Sequence, residues 1–280
     1  MEVTVTLTTR GRYFTTLPLC LMSIYNQTAL PKKVILVDDN EKKEFQQLDI
    51  FKNILFLFKQ KNIEFEYLCG ESRGQVYAQQ KALDKVKTDL VLKLDDDNIL
   101  ENDVLEELLM LSFSKQTGAV SCLILTDKDL NRKLDCDPED SLDTFNKIED
   151  IYSSFNIQMI KNQDRFVKLV EHLHSCYLFR RNATNGYPLE FAPSGHREDT
   201  VFTHQIFRDG YSLYVNPSAV IWHLKDETGG NRLHNDGNKN ELLFIEKLKE
   251  WKIIPDRLQL ITENNITYVV KGNTKFVVPV

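Results

Sequence analysis

Apolar positions change period repeatedly within the first 125 residues of this chain, and each change marks an element. Val3 to Leu7 alternates Val and Thr as a strand does, whereas Thr15 to Tyr25 repeats its apolar residues at helical spacing. Lys33 to Val37 is a compact apolar run ending at Asp38-Asp39. Phe45 to Phe58 reads as a helix with Leu48, Phe51, Ile54 and Leu55 on one face. Ile63 to Leu68 predicts a strand, Gln75 to Val86 a helix and Leu90 to Leu94 a fourth strand. Glu101-Asn102-Asp103 opens a helix through Leu111, with acidic residues in the first turn where the helix dipole favours them. Val120 to Leu125 is the fifth strand. Such alternation implies an α/β fold: a mostly parallel, Rossmann-like central sheet with helices on both faces.

The pattern loosens afterwards. Asp127 to Asp164 is polar and acidic, and an irregular or partly helical excursion is expected there. Leu173 to Phe179, Tyr211 to Val215 and Ala219 to His223 read as strands, and Asp199 to Arg208 and Glu241 to Trp251 as helices. Lys225 to Lys239, rich in Gly, Asn and Asp, predicts a mobile loop. Thr267 to Val270 and Lys275 to Val278 flank Gly272-Asn273, which suggests a hairpin and hence a small C-terminal β appendage. Residues 1–125 and 126–252 are read as two halves of one domain, and 253–280 as a tail.

Composition narrows the partners. A chain of 280 residues can bury one sizeable core. Its 35 basic and 41 acidic side chains give a net charge of −6, with no Lys/Arg stripe of the kind that binds nucleic acid. Cys20, Cys69, Cys122, Cys136 and Cys176 are scattered, odd in number and without a CxxC pair, the pattern of reduced thiols. No apolar run approaches the roughly 20 residues of a membrane span, and the N-terminus lacks the basic-then-apolar order of a signal peptide. A cytoplasmic protein is expected, and the Asn-x-Thr sequons at Asn26, Asn182 and Asn265 then carry no meaning.

The chemistry gathers at strand ends. Leu90 to Leu94 runs into Asp95-Asp96-Asp97-Asn98. Three adjacent carboxylates repel one another unless solvent or a cation relieves them, and oxygen ligands of this kind suit Mg²⁺ or Mn²⁺. A solvated turn capping the next helix accounts equally well for one acidic triplet. Asp38-Asp39, at the end of a second strand, makes that reading weaker, because open α/β sheets bind ligands beyond the carboxyl ends of their strands.

Taken in order, these features resemble the family 2 glycosyltransferases of the GT-A fold. The carrying residues are the strand ending in Asp38-Asp39, Ser72-Arg73-Gly74 leading a helix, and Asp95-Asp96-Asp97 in the place of the DxD motif. Gly195-His-Arg-Glu-Asp199 followed by a helix and Arg208-Asp-Gly-Tyr211 resembles the acceptor-side Glu-Asp motif. Ala219-Val-Ile-Trp-His223 before Gly229-Gly-Asn-Arg232 resembles the strand-end His and Gly-rich loop. The resemblance implies an inverting, metal-dependent transferase that moves a monosaccharide from a nucleotide-sugar donor, a UDP-sugar first, to a glycan or lipid-linked acceptor. It makes 1–125 the donor-binding half and 126–252 the acceptor half.

The resemblance also implies roles. Asp38 would accept from the nucleobase, with Thr9 and Arg10 lining the nucleotide pocket. Arg73 would lie near the pyrophosphate or the donor sugar, and Asp95 near ribose or donor sugar. Asp97 would hold Mn²⁺ or Mg²⁺, with His223 as a further ligand or a pyrophosphate contact. Asp199 would be the general base, where a plain helix cap is the alternative. Asp39 and Asp96 would be supporting groups of the donor site or simply solvent-facing, although the triple Asp leaves the choice between Asp96 and Asp97 as ligand open. Gln205-Ile-Phe-Arg208 is followed by Asp209, not Trp, which argues against the processive synthases of the family. A sugar-phosphate nucleotidyltransferase and a non-catalytic nucleotide- or carbohydrate-binding module are the competing readings.

Overall fold

The structure is a computed structural model describing residues 1–112, 114–126, 167–193, 195–226, 228–230, 237–253, 259–263, 266–271 and 274–277. The expected excursion over 127–164, Cys136 and the Gly272-Asn273 turn lie outside the described residues. The opening strands and helices form where the periodicity predicts: β1 (Val3–Thr9), α1 (Thr16–Tyr25), β2 (Lys33–Asp38), α2 (Asp49–Gln60), β3 (Glu64–Cys69), α3 (Gln75–Leu83) and β4 (Leu90–Asp95). The helix predicted from Phe45 is broken. Phe45–Gln47 is a 3₁₀ turn, Leu48 is extended, and α2 starts at Asp49.

β5 (Asn98–Leu100), a short strand absent from the sequence reading, precedes α4 (Val104–Leu111) and β6 (Thr117–Leu125). β7 (Lys168–Val170), also unanticipated, and β8 (Tyr177–Arg180) follow, then α5 (Glu198–Arg208). The two strands expected over 211–223 are one, β9 (Ser212–His223), and α6 spans Gly237–Glu250. β10 (Gln259–Glu263), β11 (Ile266–Lys271) and β12 (Thr274–Val277) make a separate antiparallel sheet, in which β11 and β12 form the expected hairpin.

The central sheet runs β3-β2-β1-β4-β8-β6-β9-β5, with β7 also on β9. Its first four strands are parallel. β8 then lies antiparallel between β4 and β6, and β5 and β7 pair antiparallel with β9, so the second half of the sheet is mixed. Alternation along the strands explains why both faces need helices. Val34 and Leu36 of β2 pack with Leu17 and Leu21 of α1 and Phe51 of α2, whereas Ile35 and Val37 pack with Ala78 and Ala82 of α3. Val91 and Phe179 face the same side as Val201 and Ile206 of α5 and Phe244 of α6. Both halves of the described chain thus share one sheet. Cys20, Cys122 and Cys176 are buried free thiols, and Cys69 is exposed.

Register brings the chemistry to one edge. Thr9 pairs with Asp38 and Thr8 with Asp95, so β1, β2 and β4 end level. Asn98 pairs with His223, which carries the end of β9 to the acidic triplet from the other side. No described helix is long and apolar enough to cross a membrane.

Candidate active site

Beyond those strand ends lies a cavity of about 460 Å³ lined by Thr9, Arg10, Arg12, Asp39, Gln75, Asp95, Asp96, Asp97 and His223, among others. A second cavity of about 190 Å³ shares Gln75, Asp95 and His223 with the first and adds His174, Glu198 and Asp199. The two halves of the chain therefore meet at two adjoining cavities.

Asp38 and Asp39 point to different places, as successive residues at a strand end must. Asp38 is wholly buried and accepts four hydrogen bonds: from the hydroxyls of Tyr13 and Tyr67 on Oδ2, and from the backbone and side-chain amides of Asn40 on Oδ1 (3.0 and 2.8 Å). All its acceptor positions are taken. Burial and the Asp38 charge push both tyrosines well above the ordinary phenol range, keeping them as donors. Asp39 is the one that lines the cavity, where it accepts from the backbone N–H of Ser72 (2.7 Å) and Gly74 (3.0 Å). Gly70 makes this approach possible, because a Cβ there would lie 2.6 Å from Asp39 Oδ1 and 2.8 Å from Asp38 O. Arg10 donates to Asp39 O at 3.2 Å.

The triplet divides its work similarly. Arg12, which the sequence reading did not assign, reaches Asp96 Oδ1 at 2.5 Å and Asp97 Oδ2 at 3.2 Å, and donates to Asp226 O at 2.9 Å. Burial pushes Asp96 up to about 6 even against the pull of Arg12. Burial acts on Asp97 in the same sense, but His223 and Arg12 outweigh it and hold that carboxyl below its ordinary value. His223 Nε2 is 3.4 Å from Asp97 Oδ2. Asp96 Oδ2 and His223 Nδ1 are buried without a hydrogen-bond partner among the described residues. A carboxylate oxygen and an imidazole nitrogen this close, with a spare carboxylate oxygen beside them, are donors of the kind that Mn²⁺ or Mg²⁺ would accept. No three described His, Cys, Asp or Glu groups form a complete metal site by themselves.

Arg12 fills the space between the carboxylates. A Cβ at Gly229 would run into the backbone oxygen of Arg10 and the Arg12 side chain, so a glycine is needed where this loop crosses the site.

At the second cavity, Arg197 adopts a left-handed φ of 73° immediately before α5. The strain is held by Glu241 of α6, which accepts from Arg197 Nε at 2.5 Å and lies 2.8 Å from His196 Nε2. Asp199, in the first turn of α5, does not bond the helix's own amides. Oδ2 accepts from Lys93 Nζ (2.7 Å) and Ser175 N (3.0 Å), and Oδ1 from the Tyr177 hydroxyl (2.8 Å). Burial would raise its pKa, but Lys93 and these hydrogen bonds overcome that and keep Asp199 below the ordinary carboxylate value. Burial, with Asp199 beside it, pushes Glu198 well up.

Arg73 stands apart from both cavities, half exposed, with its guanidinium 3.7 Å from the Tyr77 ring centroid and 3.5 Å from Glu71. Gln75, which donates to Asp95 Oδ1 at 3.3 Å, faces the cleft instead. Arg12, Gln75 and Lys93 escaped the sequence reading. The signal for Lys93 was an interruption of an apolar run, Leu-Val-Leu-Lys-Leu; Arg12 and Gln75 gave none.

Comparison with known proteins agrees with this fold. Three solved structures share it. GalNAc-T7 with UDP, GalNAc and Mn²⁺ gives a TM-score of 0.58 at 13% identity, over 80% of this chain and 44% of that one. TarS 1–349 of S. aureus gives 0.57 at 15%, over 89% and 66%. The mannosyltransferase PcManGT from Pyrobaculum calidifontis, in complex with GDP-Man and Mn²⁺, gives 0.56 at 16%, over 91% and 65%. The chain thus spans 44 to 66% of the length of these solved chains, and at such identities the likeness is one of fold. No protein with a curated description matches the sequence. Residues 4–186, more than half of the chain, fit the model of Glycosyl transferase family 2. With its two-faced mixed sheet of GT-A type and its acidic strand ends on one cleft, this chain belongs to glycosyltransferase family 2.

Proposed function

We propose that the protein transfers a monosaccharide, with inversion, from a nucleoside-diphosphate sugar to a hydroxyl of a carbohydrate or lipid-linked acceptor. The observation that carries this reading is that the two cavities adjoin across shared residues. One holds the acidic triplet, Arg10 and Arg12; the other holds Asp199, and Asp95, Gln75 and His223 belong to both. A donor in the first cavity would present its anomeric carbon to an acceptor in the second. Asp199, kept ionised, takes the acceptor hydroxyl's proton, and one base opposite the leaving group gives single displacement.

Asp39, rather than the saturated Asp38, is assigned the nucleobase N–H, with Arg10 beside it for ring carbonyls. Uracil supplies both features, so a UDP-sugar is the first donor to test. Asp97 and His223 would hold the divalent cation, which when bound stabilises the negative charge developing on the leaving diphosphate. Arg12 adds a fixed positive charge at the same place.

The deciding experiment incubates the protein with a panel of sugar nucleotides and hydroxyl acceptors and measures the products. Release of nucleoside diphosphate supports glycosyl transfer. Release of pyrophosphate from sugar phosphate and nucleoside triphosphate would make it a nucleotidyltransferase, and binding without release a non-catalytic module.

Two binding results are expected from calorimetry. UDP affinity should fall at least tenfold, about 1.4 kcal/mol, when EDTA replaces Mn²⁺. Equal affinity in both would mean that Arg12 alone balances the diphosphate. Asp39→Ala should cost on the order of 1.5 to 3 kcal/mol of UDP affinity, the range for a hydrogen bond to a charged group. An unchanged dissociation constant would remove Asp39 from the nucleobase pocket.

A further inference from the structure

β4 is a central strand buried on both faces, and five of its six residues are buried, yet one of these is Lys93. Its register partner on β8 is Tyr177, so both side chains stand on the face covered by α5. The ammonium donates to Asp199 Oδ2 (2.7 Å), Asp95 Oδ1 (2.9 Å) and Ser175 O (3.2 Å). Three donors meet three acceptors, so none is left for a substrate. Ser175, held at a left-handed φ of 65°, doubles the link. Its N–H donates to Asp199, and its hydroxyl to Asp95 Oδ2 at 3.2 Å.

We propose that Lys93 is a positioning residue for transfer: its buried ammonium ties the acceptor-side carboxylate Asp199 to the donor-side carboxylate Asp95, holding Asp199 ionised and fixed at the junction of the two cavities. The inference rests on the reading of Asp199 as the base. Its physical reason is charge balance. Two carboxylates sharing a buried site cannot both stay ionised without a cation, and one would take a proton.

The other groups around Asp199 do not replace that cation. His174 is driven by burial to about 4 and is neutral, and Tyr177 and Tyr187 are held protonated by burial and by Asp199 itself. Glu198 adds only acid, Arg197 is engaged by Glu241, and His223 faces Asp97. Lys93 is the cation that touches Asp199 among the described residues. With three of its four acceptor positions filled, Asp199 keeps one on Oδ1 for the acceptor hydroxyl.

The test is carboxyl NMR of the full chain labelled with ¹³C-aspartate, with Asp199 assigned from Asp199→Asn. In the wild type Asp199 should titrate below the ordinary aspartate range. In Lys93→Met it should move up by roughly one to three units, the span expected for loss of an adjacent opposite charge. The acidic limb of the transfer rate should move to higher pH by the same amount, because a protonated Asp199 cannot accept a proton. Lys93→Arg keeps the charge, so its limb should stay at the wild-type pH whatever its rate.

An Asp199 that titrates in the ordinary range in the wild type, or is unmoved in Lys93→Met, overturns the proposal. The wild-type titration decides even where Lys93→Met fails to fold. A shifted Asp199 in a protein that transfers from no sugar nucleotide would defeat the transferase reading and leave the Lys93–Asp199 tie standing. Transfer with an unshifted Asp199 would do the reverse.

Discussion

Replacing Asp199 by Asn should slow transfer by roughly 10² to 10⁴-fold, the contribution of a positioned general base. The amide keeps the shape of the side chain and can still accept from Tyr177, but it cannot take a proton. Donor affinity should be nearly unchanged, since Asp199 lines the second cavity and not the first. From the sequence alone, stability is expected to be spared as well, because Asn and Asp cap helices equally well. The structure reverses that expectation: Asp199 caps nothing and instead faces the buried Lys93. Lys93 keeps Asp95 as its counter-charge, so the loss is that of a charged hydrogen-bonded contact, about 1.5 to 3 kcal/mol, and the variant should melt early. The double variant Lys93→Met/Asp199→Asn leaves Asp95 without its cation, so it should not regain that stability and should remain inactive. Steady-state transfer and melting curves on the three proteins check this, and near-wild-type turnover in Asp199→Asn would eliminate it as the base. Glu198, buried and facing the same cavity, would be the next residue to test.

Phe45→Ala should destabilise the protein by about 3 to 5 kcal/mol, the range for truncating a buried phenylalanine. Phe45 is fully buried and stacks on Phe51 (4.2 Å between ring centroids), Tyr67 (5.1 Å) and Phe65 (5.7 Å), with Tyr13 at 6.5 Å. Tyr13 and Tyr67 are the two residues whose hydroxyls hold Asp38. Loosening the cluster should therefore also free Asp38 and weaken nucleotide binding next door at Asp39. Denaturant unfolding reads the first effect and UDP calorimetry the second. A loss below about 1 kcal/mol would mean that the cavity collapses and the cluster is not a rigid floor.

Phe45 also shows where local pattern misleads. Its helical spacing with Leu48 and Phe51 is real, but Phe45 is drawn into the aromatic cluster with β3, and the chain bends at Leu48 before α2 begins. Likewise β5 is three residues long and β7 is three, too short to leave a period of their own; each exists because β9 offers it an edge.

By itself the sequence determined the α/β alternation through β4, the helices on both faces and the acidic ends of β2 and β4. These follow from side-chain periods of 2 and 3.6, which are local properties of the chain. It also determined that neighbouring aspartates must face different ways. Which one faces the cleft was decided only by tertiary structure, because Asp38 turns inward to Tyr13 and Tyr67, residues 25 and 29 positions away. The mixed second half of the sheet was decided the same way, since strand direction depends on the partner and not on the strand. Arg12 against Asp96 and Lys93 against Asp199 join positions separated by 84 and 106 residues. No local period encodes such pairings. They are imposed by the cost of burying a charge without its opposite.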